Sequence, residues 1–326
     1  MHRATLVLFL GALCVSACES ESKPSRTWVV ATQGLYAGAI SPAGDMVIVG
    51  SLNHGASLWK TPENERIFNW SHQQGEFSEL VAATFSPDAS RAVTTDPRTL
   101  VMWNTTTGEA INFWATPGVV LDAQILNDNR NVLLGLDNHS ALLFDAVTGA
   151  YGQTLLHQGE VGSVAVSKDG SLALTGSDDY TAVLWRLNGG NSQDSAIHTL
   201  RHDNPVRAVA LSASGRYSFT AAQGDLVAIW DNSSGQIVHT LHNGPNHGAR
   251  SARFSDDERT VAVGYTNRKV VLYDLSSGQP IHRWDPGTRH ALRATGAAIL
   301  EVAFNSVNGA VLAITGDGRL LELRRS

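Results

Sequence analysis

Ala165-Val166-Ser167-Lys168-Asp169-Gly170, running on through Ser177-Asp178-Asp179-Tyr180-Thr181-Ala182-Val183-Leu184-Trp185, decides how the chain folds. Short apolar and polar runs alternate here and are punctuated by Gly and Asp turns. A helix would repeat its apolar positions every 3.6 residues, whereas this alternation is that of β-strands joined by hairpins. The same texture holds from Trp28 onward, so the chain reads as all β.

The stretch is one of seven in register. Turns opening with Ser or Asn stand at Ser41, Ser86, Asn127, Ser167, Ser212, Ser255 and Asn305. Each is followed 17 or 18 residues later by an apolar mark: Trp59, Trp103, Phe144, Trp185, Trp230, Tyr273 and Leu323. All larger variation in length falls between units, as expected of rigid hairpins joined by variable loops. A period of roughly 40 to 45 residues with a terminal Trp-Asp-like mark predicts propeller blades of four strands, and seven units predict seven blades. The ends give a sharper expectation. Residues 27–31 precede the first complete strand set and the chain stops after Leu323, so the segment around Trp28 should supply the outer strand of blade seven. Closing the ring in this way would cover exposed strand edges.

These residues resemble the WD40-repeat family, most clearly in 165–185 and in Ala228-Ile229-Trp230-Asp231, and the resemblance extends over 27–326. It implies an all-β, seven-bladed β-propeller. It also implies a hydrogen-bonded set of His, Ser/Thr, Asp and Trp under the turns, which maps onto His157, Ser177, Asp179 and Trp185. That role is structural, because it satisfies polar groups beneath a turn. Asn53, Pro97, Asn138, Gly224 and Asn267 occupy the acid's place elsewhere, and Asp317 stands beside Leu323. Only blade four is therefore expected to keep the whole set. The resemblance further implies partner binding on the face of the turns, making Arg98, Tyr180, Arg207, His247, Arg250 and Arg268 candidates. The longest loop between units, 283–293, adds Trp284, Arg289 and Arg293, a cationic and aromatic mixture enriched at interfaces.

At the amino terminus, Met-His-Arg is followed by an apolar run from Ala4 to Val15 and then by Ser16-Ala17-Cys18. The run is too short to span a bilayer, which takes roughly 20 residues, and reads as a secretory signal. Val15-Ser16-Ala17-Cys18 resembles the lipobox of bacterial lipoproteins, whose cysteine is diacylated and becomes the first residue. The expected organisation is a signal over 1–17, a lipidated flexible tether over 18–26 and a propeller over 27–326. Cys14 falls in the discarded segment, so the mature chain keeps the thiol of Cys18 for lipid and forms no disulfide. Glu19, rather than Asp, after the cysteine favours the periplasmic face of the outer membrane.

Composition limits the function classes. The chain is 43% hydrophobic and 17% charged with a net charge of -6 spread along its length, which argues against nucleic acid as a partner. Twelve histidines are present, but no HExxH or Cys-His cluster is, so neither a metal nor a cofactor is expected. The resulting expectation is a monomeric, membrane-anchored, non-enzymatic scaffold for a protein or peptide in the bacterial envelope. The alternative is a periplasmic propeller enzyme, such as a metal-dependent hydrolase or a lactonase, that uses the axial funnel.

Overall fold

The hairpin turns fix the ruler through one serine hydroxyl. In the computed structural model, Ser167 Oγ accepts the Leu172 N–H at 3.0 Å and donates to Asp169 Oδ1 at 2.6 Å, while Asp169 accepts the Ser171 N–H at 3.0 Å. Ser86 with Asp88, and Ser255 with Asp257, repeat the arrangement. The fourth residue of the turn has left-handed backbone, supplied at Gly170 with φ 72°. Blade three departs from this. Its turn closes from Leu126, whose N–H meets Asn131 O at 2.8 Å, one residue before the Asn127 mark chosen from sequence, so its interval to Phe144 matches that of blade four.

The structure describes residues 21–51, 55–61, 63–72, 79–187, 195–224, 226–242, 248–289 and 296–325. Among them are seven four-stranded antiparallel sheets and no helix. Strands are designated a to d from the axis outward. Blade four runs Val161–Val166, Leu172–Ser177, Thr181–Arg186 and Ala196–Arg201. Blades one, two and three occupy 35–70, 82–115 and 120–156; blades five and six occupy 206–240 and 249–284. Blade seven takes strands a to c from 299–323 and strand d from Arg26–Val29, which pairs antiparallel with Arg319–Leu323 and sets Trp28 opposite Leu320. The segment around Trp28 thus closes the ring as its sequence implied.

Antiparallel order creates two faces. The a–b and c–d turns share one, where Thr105 N–H meets Ser90 O and Leu187 N–H meets Ser171 O. The b–c turns and d–a crossings share the other, where Asp178 N–H meets Glu160 O and Thr116 N–H meets Arg98 O. Apolar layers between adjacent blades form the core: Met102, Leu134 and Phe144 pack between blades two and three, and Phe219, Ile229, Val261 and Tyr273 between five and six. Trp70 stacks on Trp103 at 4.9 Å across blades one and two. Polar latches reinforce this packing at the rim. Trp70, Trp114, Gln153, His198, His239 and Trp284, all on d strands, reach the carbonyls of Gly108, Ala146, Arg186, Asn232, Leu275 and Arg324 on the following blade. At Gly235, φ is 68° and a Cβ would meet His198 Nδ1 at 2.8 Å, so this latch requires glycine.

The expected flexible tether is instead docked over the part described. Ser22 N–H donates to Arg283 O at 2.9 Å and Asp285 N–H donates to Ser22 O at 3.1 Å, a parallel bridge on the outer edge of blade six. Lys23 Nζ reaches Asp285 O at 2.9 Å, Glu21 pairs with Lys269, and Ser25 N–H meets Glu322 O at 2.8 Å in blade seven. The free edge of an outer strand offers unpaired backbone groups, and this polar segment satisfies them. Cys18 and the rest of 1–20 lie outside the described residues.

Candidate functional site

In blade four the His–Asp–Trp constellation forms, but its hydroxyl comes from Thr175 rather than Ser177. Trp185 Nε1 donates to Thr175 Oγ1 at 2.7 Å, and that hydroxyl lies 2.7 Å from His157 Nε2. The Asp179 carboxylate can only accept, so Nδ1–H donates to Oδ2 at 3.0 Å, and in the neutral imidazole Nε2 then accepts the threonine hydrogen. Along a strand, side chains alternate faces, and Thr175 and Ser177 share one face; Thr175 is the one level with the indole. Ser177 Oγ instead accepts the Asp179 N–H at 3.1 Å. Burial lowers the His157 pKa against the pull of Asp179, favouring neutral imidazole. Burial pushes the Asp179 carboxyl up, but hydrogen bonds from Thr181, the Gln158 N–H and His157 outweigh it and hold the group low. With the imidazole buried, the trio braces a turn and offers no open nucleophile.

Blade two carries an equivalent set that the sequence reading did not find. His72 Nε2 lies 2.8 Å from Thr94 Oγ1, Trp103 Nε1 donates to that oxygen at 2.8 Å, and His72 Nδ1 lies 3.5 Å from Asp96. Counting six residues back from Trp103 lands on Pro97. The b–c turn here is one residue shorter, which brings Asp96 under the histidine. The remaining blades substitute. In blade five Trp230 donates to Thr220 at 2.7 Å and meets His202 edge-on. In blade six the buried hydroxyls of Tyr265 and Tyr273 meet at 2.7 Å. In blade seven Asp317 pairs with Arg319 at 2.8 Å, with side chains only 2% and 7% exposed.

The nine candidate partner residues divide. Arg98, Tyr180, Arg207 and Arg250 are exposed on the b–c-turn face, Tyr180 to 50% with φ 70°. Arg207 is braced by Asp178 at 2.6 Å and Gln223 at 3.2 Å. Arg268 lies half-buried beside Asp285 at 3.0 Å. Trp284 must be set aside as a contact residue: it is 1% exposed, its indole donates to Arg324 O, and its ring lies 4.4 Å from His282. Arg289 is likewise a closure residue, since its guanidinium donates to Ala31 O at 2.7 Å and its N–H to Asp317 at 3.0 Å. His247 and Arg293 lie outside the described residues.

Arg207 and Arg250 border a feature the sequence reading did not specify, an axial channel of about 960 Å³ lined by the a strands. The residue four before each turn mark contributes to one layer: Ala37, Ala82, Asp122, Ser163, Ala208, Ser251 and Glu301, with blade three counted from Leu126. An a strand is an inner sheet edge, and this layer satisfies its unpaired N–H groups across blades. Asp122 accepts Val164 N–H at 2.8 Å, Ser163 accepts Val209 N–H at 3.1 Å, and Ser251 accepts Val302 N–H at 3.1 Å. Ser251 also donates to Glu301 at 3.2 Å. Burial raises Asp122 to about 6 and Glu301 to about 7, with the charge of Asp122 adding to the shift at Glu301 and Arg253 opposing it. At the mouth Tyr36, 51% exposed, Val81, Leu121 and Leu300 make an apolar arc facing Arg207 and Arg250. A polar residue four before the turn mark, in an otherwise largely apolar strand, was the available signal for these positions. Among the described residues, no three His, Cys, Asp or Glu side chains converge as a metal site.

Residues 150–186 and 194–231 match the family model for the WD domain, G-beta repeat; each match takes in the outer strand of one blade and the first three strands of the next, from blade three into blade five. Apoptotic protease-activating factor 1 of Rattus norvegicus is 27% identical over 203 residues, 61% of this chain and 16% of its own length. The small ribosomal subunit protein RACK1 of Drosophila melanogaster is 32% identical over 35% of this chain and 37% of its own. Autophagy-related protein 16 of Arabidopsis thaliana is 26% identical over 43% and 28%. The chain therefore spans well under half the length of these relatives. Its own geometry and these matches together make it a seven-bladed β-propeller with two WD repeats, at 150–186 and 194–231.

Proposed function

We propose that this protein is a lipid-anchored, non-enzymatic scaffold that binds a protein or peptide partner in the bacterial envelope, at the periplasmic face of the outer membrane. The carrying observation is the b–c-turn face, where Arg98 and Tyr180 stand exposed and Arg207 and Arg250 stand exposed at the mouth of the channel. Aromatic and arginine side chains on a rigid frame bind at little ordering cost, and loops on such frames commonly carry recognition. WD-repeat relatives, one of them named as a ribosomal subunit protein, support an interaction role. The lipobox-like Val15-Ser16-Ala17-Cys18 supports acylation at Cys18.

The test is capture from gently solubilised membranes by wild type and by Tyr180→Ala/Arg250→Glu. A partner retained by wild type and lost by the variant is expected; equal capture by both would overturn the assignment of the face. Metabolic labelling with palmitate should mark wild type and not Cys18→Ala, and equal labelling would overturn the anchor. The raised carboxyls of Asp122 and Glu301 in the channel favour a second reading, a funnel hydrolase. A stoichiometric metal, or ester hydrolysis lost in Glu301→Gln, would establish it.

A further inference from the structure

The docked amino-terminal segment carries information about orientation. Glu21 is held at Lys269, in the b–c turn of blade six, and Ser22 is bridged into the outer edge of that blade at Trp284. His282 Nε2 lies 3.0 Å from Ser22 Oγ, Lys23 reaches Asp285 O just past blade six, and Ser25 continues the contact into blade seven. These contacts are spread over successive residues, so the described chain is already held to the propeller at Glu21, before the first strand of the ring. Only Glu19 and Ser20 separate that point from Cys18. Three residue steps span at most about 11 Å. This is comparable to the polar headgroup zone, which adds roughly 5 to 8 Å on each side of a hydrocarbon core of about 30 Å. A docked chain therefore has no slack with which to hold the propeller away from a membrane.

We propose that the docked segment orients the propeller on a lipid bilayer, with the b–c-turn rim of blade six against the headgroups and the a–b and c–d turns of blade three farthest from them. This rests on the reading that Cys18 carries acyl chains. Lys23 is exposed beside the exit point, Arg268 and Lys269 lie in the adjoining turn, and Glu21 and Asp285 oppose them, so the rim is polar and slightly cationic, as suits anionic headgroups. The channel mouth and Arg250 open on this same face. A partner held there belongs to the membrane or lies close against it.

Lipidated protein bearing a nitroxide at Thr266→Cys, in the b–c turn of blade six, or at Val147→Cys, in the c–d turn of blade three, is reconstituted into phosphatidylethanolamine–phosphatidylglycerol vesicles containing nickel-chelating lipid. Both positions are exposed, and thermal melting verifies the fold of each labelled protein. Nickel relaxation is expected to be several-fold greater at Thr266 than at Val147. Inserting about 20 Gly/Ser residues between Ser20 and Glu21, with an r.m.s. span of about 25 Å, should collapse that difference. Equal relaxation at the two sites, or a difference that survives the insertion, would overturn the orientation while intact mass still shows acylated Cys18. A mass without acyl chains would overturn the anchor reading itself, and the orientation with it.

Discussion

Blades four and seven solve the same local problem with different chemistry. Asp179 in blade four accepts the Gln158 N–H from the preceding d–a loop, and Asp317 in blade seven accepts the Arg289 N–H from the equivalent loop. In blade four the rest of the site is a buried imidazole, a hydroxyl and an indole. In blade seven a guanidinium replaces them: Arg319 grips both oxygens of Asp317 and also donates to Pro286 O at 3.2 Å and Gly287 O at 2.8 Å. Blade four is one continuous piece of chain, so its turn needs only bracing. Blade seven joins the two ends of the chain, and charge-assisted, multidentate bonds hold a loop and a seam together. Arg289, tied to Ala31 O, extends the same grip to the amino-terminal strand.

The comparison breaks most completely if the seam is removed. Deleting residues 22–29 takes away strand d of blade seven, exposes the edge of Arg319–Leu323 and uncovers Leu320. The expected outcome is loss of a single cooperative urea transition for the whole ring, followed by circular dichroism. A transition with the wild-type midpoint would show that the ring does not depend on its amino-terminal strand.

Next in size is the ion pair. Arg319→Met leaves the Asp317 carboxylate buried without its partner and should cost about 3 to 5 kcal/mol of unfolding free energy, because removing one member of a buried pair strands the other. Asp317→Leu/Arg319→Met should recover much of that loss. A single variant close to wild type in urea denaturation would mean that the pair is not the fastening of the seam.

Blade four should be less costly to damage. Thr175→Val removes the oxygen that serves both Trp185 and His157, and about 1 to 3 kcal/mol is expected for the unpaired buried groups. Thr94→Val should produce a similar loss in blade two, where the same geometry recurs. Ser177→Ala should cost less than about 1 kcal/mol, since its side chain accepts a single backbone N–H. Comparable losses at Ser177 and Thr175 would reverse the assignment of the bridging hydroxyl.

What the sequence made legible follows from this contrast. Spacing reports local covalent distance, so the turn serines and the Trp marks gave seven blades and the closure by Trp28. A one-residue change in turn length is enough to defeat the same count, as Pro97 and Asp96 show in blade two. Contacts between distant parts of the chain carry no spacing at all. Nothing in the local pattern tells that Trp284 turns inward to Arg324, that Arg289 reaches Ala31, or that Ser22 lies beside Trp284. Polarity marked Glu19-Ser20-Glu21-Ser22 as a linker, yet polar residues are also what the unpaired edge of an outer strand requires.

The smallest expected effect separates the blade turns from the axis by the sign of their pH dependence. His72 and His157 have pKa values depressed below 6.5 by burial, so the unfolded chain binds protons that the native turns refuse. Their contribution is complete above 6.5 and is lost as pH falls from there through the depressed native values. The channel carboxyls act in the opposite sense. Glu301 is raised from 4.5 to about 7 and Asp122 from 3.8 to about 6, so the native state holds protons that the unfolded chain has released, and stability is lost as pH rises through those values. Melting temperatures measured between about pH 5 and 8 should therefore show Glu301→Gln gaining on wild type as the pH rises, because the amide no longer ionises beside Asp122. His157→Gln should gain on wild type as the pH falls below 6.5. Parallel curves for Glu301→Gln and wild type would mean that Glu301 is fully hydrated in the channel, which would also remove the basis for any chemistry at that carboxyl.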